Sequence, residues 1–538
     1  MRRALVIVTA LGCATGGATP SDSAAPTMLD GGSDLPATEL AAAADTTPDT
    51  TPVDVSALDT ALDDVGARDA TPFDASPAAD RTPLADTIPP SDTSRPMDAP
   101  PDFALSDTIP IPDATHDGAP SPDAAPFTPT ALRARLVFTG PSGVTTPPSW
   151  NAHLPKLTGD ARFLYAVHTH FPTAPVSARF AAILRRPRSA ADAPWTEVAR
   201  LTHVHQPPGV VMDTMDRLHL VFDCLREGTA DVTCFPGGAG TGGVPSRFYH
   251  LIFNARDAAG ALRWDTYLNY NEWTTNSNGY HGLATLPGGA TVWALADTSW
   301  NRQVQWWLSP TQYGTLAPLS RPAVYLLYPI LAPGPGVNGL LLYAGEFDPS
   351  GGTNAGYLAS TAYRGTLSSG LAPWFRRTPT TPPARGAVGA FPSDLVSDGG
   401  GGYYALSYLA EGPSRCTELL RFGRDLSAPP TVTPVGCFET YARLQVSRDG
   451  TLFLLASAGD RTFRLGVSSD RGARWHFSTV VVTGLEGTDD VSVYGASLLR
   501  ADTAPGIYDP DRMVLLFSGS NAAGLARRTY AGELALTP

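Results

Sequence analysis

From about residue 131 onward the chain repeats one plan: a short apolar stretch, a Gly/Asp turn, a strongly apolar strand, then two more polar strands. The clearest copy runs through residues 444–455 and 463–467, crosses a turn at 468–475, and ends at 479–483. Another runs through 210–213, 217–222, 247–254 and 264–268. Seven candidate inner strands begin near His153, Val210, Gly282, Tyr325, Pro392, Leu444 and Gly495, about 45 to 75 residues apart. That spacing suits four-stranded sheets repeated around a ring, and no helical period persists over any useful length. The expected fold is therefore all-β, a single β-propeller over residues 131–538 with seven four-stranded blades, or six if the unit around Tyr325 is an insertion.

Closure of the ring is legible as well. The last unit offers strands at 495–500, 513–518 and 525–534 and lacks a fourth. The strand at 132–139 precedes the first unit and has no blade of its own. It is expected to complete the last blade and so remove the open sheet edge.

The turn Ser468-Ser469-Asp470-Arg471-Gly472-Ala473-Arg474-Trp475 fits the pattern Ser-x-Asp-x-Gly-x-x-Trp. Short Ser and Asp side chains can bond turn amides, Gly takes a backbone conformation closed to other residues, and Trp seals the hairpin. This motif and the strand plan resemble the BNR-repeat (Asp-box), sialidase-like β-propellers. The segment His203-Val204-His205-Gln206-Pro207-Pro208-Gly209-Val210-Val211-Met212-Asp213, followed by residues 217–222, is similar to the His-x-x-Pro repeats of BNR-type polysaccharide lyases, ulvan lyases among them. The chain departs from true sialidases: it has no Phe/Tyr-Arg-Ile-Pro motif, one clean Asp-box, and no assignable arginine triad.

The N-terminus reads as an export signal. Met1-Arg2-Arg3 precedes a short apolar run and Gly12-Cys13. That run is too short to span a membrane. Residues 1–13 resemble a bacterial lipoprotein signal with Cys13 as the lipidated residue, although Ala10 and Leu11 reverse the usual lipobox order. Residues 14–130 are rich in Ala, Asp, Pro and Thr and cannot bury enough apolar surface to fold. They are read as a disordered acidic linker, a stalk. Residues 22–123 hold 21 acidic and three basic side chains, so the net charge of −13 belongs to this segment and the rest is close to neutral. Nothing in that balance calls for nucleic acid.

Of five cysteines, removal of Cys13 leaves Cys224 with Cys234 and Cys416 with Cys437, each pair close in sequence. Neither has C-x-x-C spacing, and disulfides in an oxidising compartment are expected. The location implied is the bacterial outer membrane or cell surface, with the membrane reached only through a lipid anchor and periplasmic or secreted protein as the alternative.

Position along the blades picks out a candidate site. In a propeller, loops entering inner strands and loops leaving second strands open on one face, the mouth. His168 and His170 end the second strand of unit one; His203 and His205 enter unit two; His281, beside Tyr280, enters unit three. With Trp300 and Arg302 these are the candidate binding residues, and His205, Tyr280, His281 and Arg302 are the catalytic candidates. Asp223, Arg226, Asp297 and Glu346 lie on nearby loops. Histidine and tyrosine can supply the base and acid of a lyase, and arginine can neutralise a uronate carboxylate. No cofactor is required by the sequence, while zinc or calcium would suit a histidine and carboxylate set. His219, His250 and His476 read as core or rim residues, Trp306-Trp307 as blade packing, Glu346 and Asp348 as a solvated turn, and residues 237–243 as a flexible hairpin loop. The favoured function is a surface-displayed, monomeric propeller that binds a polysaccharide or a cell-surface glycan or protein. The alternative is a carbohydrate-active enzyme, a polysaccharide lyase ahead of a sialidase-like glycoside hydrolase.

Overall fold

The computed structural model describes residues 131–141 and most of 154–536; residues 1–128 and several loops, among them 142–153, 271–281 and 297–301, lie outside the described residues. Cys13 and the stalk are therefore outside them too. Seven sheets follow one another along the chain and close into a propeller. Their inner strands are Leu157–Gly159, Gly209–Met212, Gly282–Thr285, Tyr325–Pro333, Ala390–Ser397, Arg443–Val446 and Asp490–Leu498. The unit around Tyr325 is a full four-stranded blade, so the ring has seven blades. Among the described residues the only helix is a single turn at Val176–Ala178, and no helix is long and apolar enough to cross a membrane.

Burial explains the strand plan. In blade six the second strand, Leu452–Gly459, is apolar and buried along its first six residues. The fourth, His476–Thr483, alternates between exposed and buried positions, because its outer face meets solvent. Inner strands approach one another closely around the channel. A Cβ on Gly282 would meet the Pro329 carbonyl of blade four at 2.6 Å, so only glycine fits there.

Ring closure takes a form the sequence disclosed only in part. The segment expected as one strand is two. Arg135–Thr139 pairs antiparallel with Ala526–Ala535 and supplies the missing fourth strand of blade seven. Ala131–Arg133 instead pairs parallel with His476–Thr483 and gives blade six a fifth strand. The reason lies in the alternation of side chains. Leu132 packs among Val480, Val482 and Leu534 in the seam between blades six and seven, while Val137 packs in the seam between blades seven and one.

The Asp-box turn is built as its chemistry requires. The Ser468 hydroxyl donates to Asp470 and accepts from the Gly472 amide, Asp470 accepts from the Arg474 amide at 2.9 Å, and Gly472 has φ of +90°. Trp475 packs with Phe477 against the core of blades five and six. The turn between the first two strands of blade six, at Ser447-Arg448-Asp449, repeats the device, with Asp449 accepting from Ser447 Oγ and the Thr451 amide.

Both disulfides are present. Cys224–Cys234 joins α-carbons 6.0 Å apart in blade two, and Cys416–Cys437 joins facing residues of two neighbouring strands in blade five, 3.9 Å apart.

One loop crosses the channel. The connection between Asp490–Leu498 and Arg512–Ser520 accepts, through the Thr503 carbonyl, from the Met212 amide of blade two and Thr158 Oγ1 of blade one. Its Asp502 carbonyl accepts from the Thr285 amide of blade three. Arg500 reaches Asp394 of blade five and the Leu444 carbonyl of blade six, and Tyr508 Oη donates to the Val446 carbonyl. Blade seven is thus stitched to five others through one loop.

Candidate functional site

His205 and Asp223 form a pair at the mouth end of blade two. The first two strands of that blade run antiparallel, with Gly209 opposite Val221, so the residues before Gly209 lie beside those after Val221. The His205 amide donates to the Asp223 carbonyl at 3.0 Å, and its ring Nδ1 lies 2.8 Å from Asp223 Oδ2. The carboxylate is 1% exposed and the imidazole 20%. A buried carboxylate accepting from Nδ1–H fixes the ring orientation and leaves Nε2 as the basic nitrogen. His203 adjoins the pair with φ of +52°, an uncommon conformation for a residue with a Cβ.

The other expected histidines are placed differently. His168 is buried in the seam between blades seven and one, its Nδ1 2.8 Å from Thr529 Oγ1 and its ring 4.4 Å from Phe138. Burial, and then the nearby His170, Arg200 and Lys156, pushes it down to about 3. His170 is buried against Phe180, and burial followed by Arg200 lowers it. The described contacts of these two rings are therefore with the seam, and those of His205 are with Asp223. Tyr280, His281, Asp297 and Trp300 lie outside the described residues, as does the side chain of Arg302 at the start of its strand.

Glu346 is not on a solvated turn. It lies in the strand Gly339–Asp348, is fully buried, and accepts from Arg376 Nε at 2.9 Å and from Thr361. Gly345 and Pro349 flank it and give the strand end the look of a loop in the sequence. Trp306 and Trp307 both pack within the sheets.

His219 and His250, expected as core or rim residues, lie in the core and form a polar chain under blade two. His219 and His250 are fully buried in the seam with blade three. His219 Nε2 lies 3.0 Å from Asp213 Oδ2, and its Nδ1 lies 2.9 Å from His250 Nε2. Since the carboxylate can only accept, His219 donates from Nε2; in a neutral His219 ring Nδ1 then accepts from His250 Nε2–H. Burial lowers both histidines. Burial opposes ionisation of Asp213 too, but the His219 and Arg217 hydrogen bonds win and hold it below its ordinary value. This chain is a core device that no short motif announces.

These shifts fix a sign for acid stability. A histidine lowered in the fold contributes stability that is full above about pH 6.5 and lost as pH falls toward its folded value. For His168, at about 3, the loss between pH 7 and pH 5 is about 2 kcal/mol, and His219 and His250 add losses of the same sign. Asp502, raised by burial to about 6, acts oppositely and returns about 1 kcal/mol over the same interval. Net destabilisation is expected at pH 5. Urea midpoints at the two pH values check this, and a higher midpoint at pH 5 would contradict it.

Among the described residues no group of three or more His, Cys, Asp or Glu stands together to hold a metal ion. The described cavities lie inside the channel at the crossing loop. Both are lined by Arg500 and Asp502, and neither by His205.

No family model matches the chain, and no curated protein matches it. Solved structures of similar fold include a family PL25 polysaccharide lyase, an ulvan lyase, at 11% identity, with a TM-score of 0.48 over 73% of this chain and 94% of that one. An α-L-arabinofuranosidase from Fusarium graminearum matches at 12% identity and a TM-score of 0.38 over 61% and 92%. A Trypanosoma rangeli sialidase matches at 9% and 0.35 over 71% and 53%. At such identities function does not pass from those proteins to this one.

Proposed function

We propose that the propeller is a carbohydrate-active enzyme, a polysaccharide lyase with His205 as its base. The single observation that carries this is the His205–Asp223 pair, a partly exposed imidazole held by a buried carboxylate. Elimination from a uronic acid polymer needs a base for the proton beside the carboxylate, an acid for the leaving oxygen and a cation for the carboxylate. His205 Nε2 takes the proton, and Asp223 stabilises the imidazolium that forms. Tyr280 or His281 serves as acid and Arg302 as the cation. The similarity of residues 203–222 to polysaccharide-lyase repeats supports the same reading. Incubation with a panel of uronate polymers should raise the ultraviolet absorbance of a new carbon–carbon double bond; no rise with any polymer would count against it.

Binding without turnover is the second reading. It is favoured by the burial of His168 and His170, which takes two of the five expected histidines into the seam. The ligand would then be a glycan or protein retained unchanged.

The protein is further proposed to be exported and tethered by lipid at Cys13, with two disulfides supporting an oxidising compartment. Fatty-acid labelling should be lost in Cys13→Ser; label persisting in that variant would refute the anchor.

A further inference from the structure

The kinked segment that carries His205 is gripped from two sides, and both grips end at one disulfide. On one side Val204 bridges Cys224, the Leu225 amide donates to the His203 carbonyl at 2.8 Å, and the His205 amide donates to Asp223. On the other side the Cys234 carbonyl accepts from the Thr202 amide at 2.9 Å, and the Cys234 sulfur lies 3.9 Å from the His203 carbonyl oxygen. The His203 amide donates back to the Arg179 carbonyl of blade one at 3.0 Å. Val204, Cys224 and Cys234 are fully buried in one apolar cluster with Phe222 and Phe235. A positive φ at His203 persists only where its surroundings impose it.

We propose that the Cys224–Cys234 bridge is a positioning device: it holds residues 202–205 in their kinked path, so that His205 Nδ1 stays on Asp223. Asp223 is the residue immediately before Cys224, so the bridge fixes both members of the pair at once. Without the bond, Cys234 is tied to Cys224 only through the intervening backbone. The clasp on Thr202 then depends on a freely closing loop. This inference rests on the proposed role of His205, but its test does not need activity.

The second disulfide supplies the control. Cys416–Cys437 lies in blade five and closes a loop of 21 residues, against 10 for Cys224–Cys234. The two double variants Cys224→Ala/Cys234→Ala and Cys416→Ala/Cys437→Ala should both melt lower than the parent. Only the first should speed hydrogen exchange at the Thr202 and Leu225 amides, by at least about tenfold, and shift the nitrogen nuclear magnetic resonance signal of His205 Nδ1. If the first variant fails to fold, Cys224→Val/Cys234→Ala keeps the buried volume and takes its place. Unchanged exchange and an unchanged His205 Nδ1 signal in the folded variant, or the same changes in the blade-five variant, would overturn the proposal. Failure of the protein to cleave any glycan would bear on the lyase reading alone.

Discussion

His205→Gln lowers the rate of glycan cleavage by about 10²- to 10⁴-fold, the range expected for loss of a positioned general base. Glutamine keeps much of the side-chain length and can still hydrogen-bond Asp223, so the fold and the approach of substrate are retained. What it lacks is a nitrogen that takes a proton. Asp223→Asn should act in the same direction through the ring. An amide that donates to Nδ1 forces the proton onto Nε2, and the basic edge is lost. Initial rates with melting curves for both variants check this. A His205→Gln protein keeping more than about a tenth of the parent rate would remove His205 from the chemistry.

Arg500→Ala should cost about 3–5 kcal/mol of stability, because it leaves a buried carboxylate without its counter-charge. Arg500 Nη1 donates to Asp394 Oδ1 at 2.8 Å and Nη2 to the Leu444 carbonyl at 2.9 Å, and the arginine side chain is 16% exposed. Asp394 also accepts from the Leu395 and Leu444 amides, which fixes it in place and prevents escape to water. The same loop bonds blades one, two, three and six, so the loss falls on ring closure as well as on one pair. Pairing the change with Asp394→Asn should recover part of the loss, since residue 394 is then no longer a buried charge without its partner. Urea unfolding of the parent and the two variants measures it. A cost under about 1 kcal/mol for Arg500→Ala would show that the loop is dispensable.

The blade plan was legible because strand burial repeats: the apolar second strands and the Asp-centred turns recur in sequence as they do in space. Ring closure was half legible. A missing fourth strand can be counted, but Ala131–Arg133 changes sheet after three residues, and no pattern that short separates two partners. Among the site residues, strand-end counting placed His203 and His205 correctly at the entry to Gly209–Met212. It could not tell a ring facing the mouth from one facing a seam. His168 and His205 both sit at strand ends, and only packing sends one against Thr529 and the other against Asp223. The His250–His219–Asp213 chain was hidden for the same reason, since its three residues come from two strands and a turn that meet only after folding.

Digestion of a uronate polymer in heavy-oxygen water, with the product ends weighed by mass spectrometry, tests the central claim most directly. Elimination by His205 breaks the glycosidic bond without adding water, so the account predicts unsaturated ends, no incorporated solvent oxygen, and loss of both products and ends in His205→Gln. Incorporation of one solvent oxygen per cleavage would make the propeller a hydrolase, and intact polymer would make it a binding protein; either result contradicts the account.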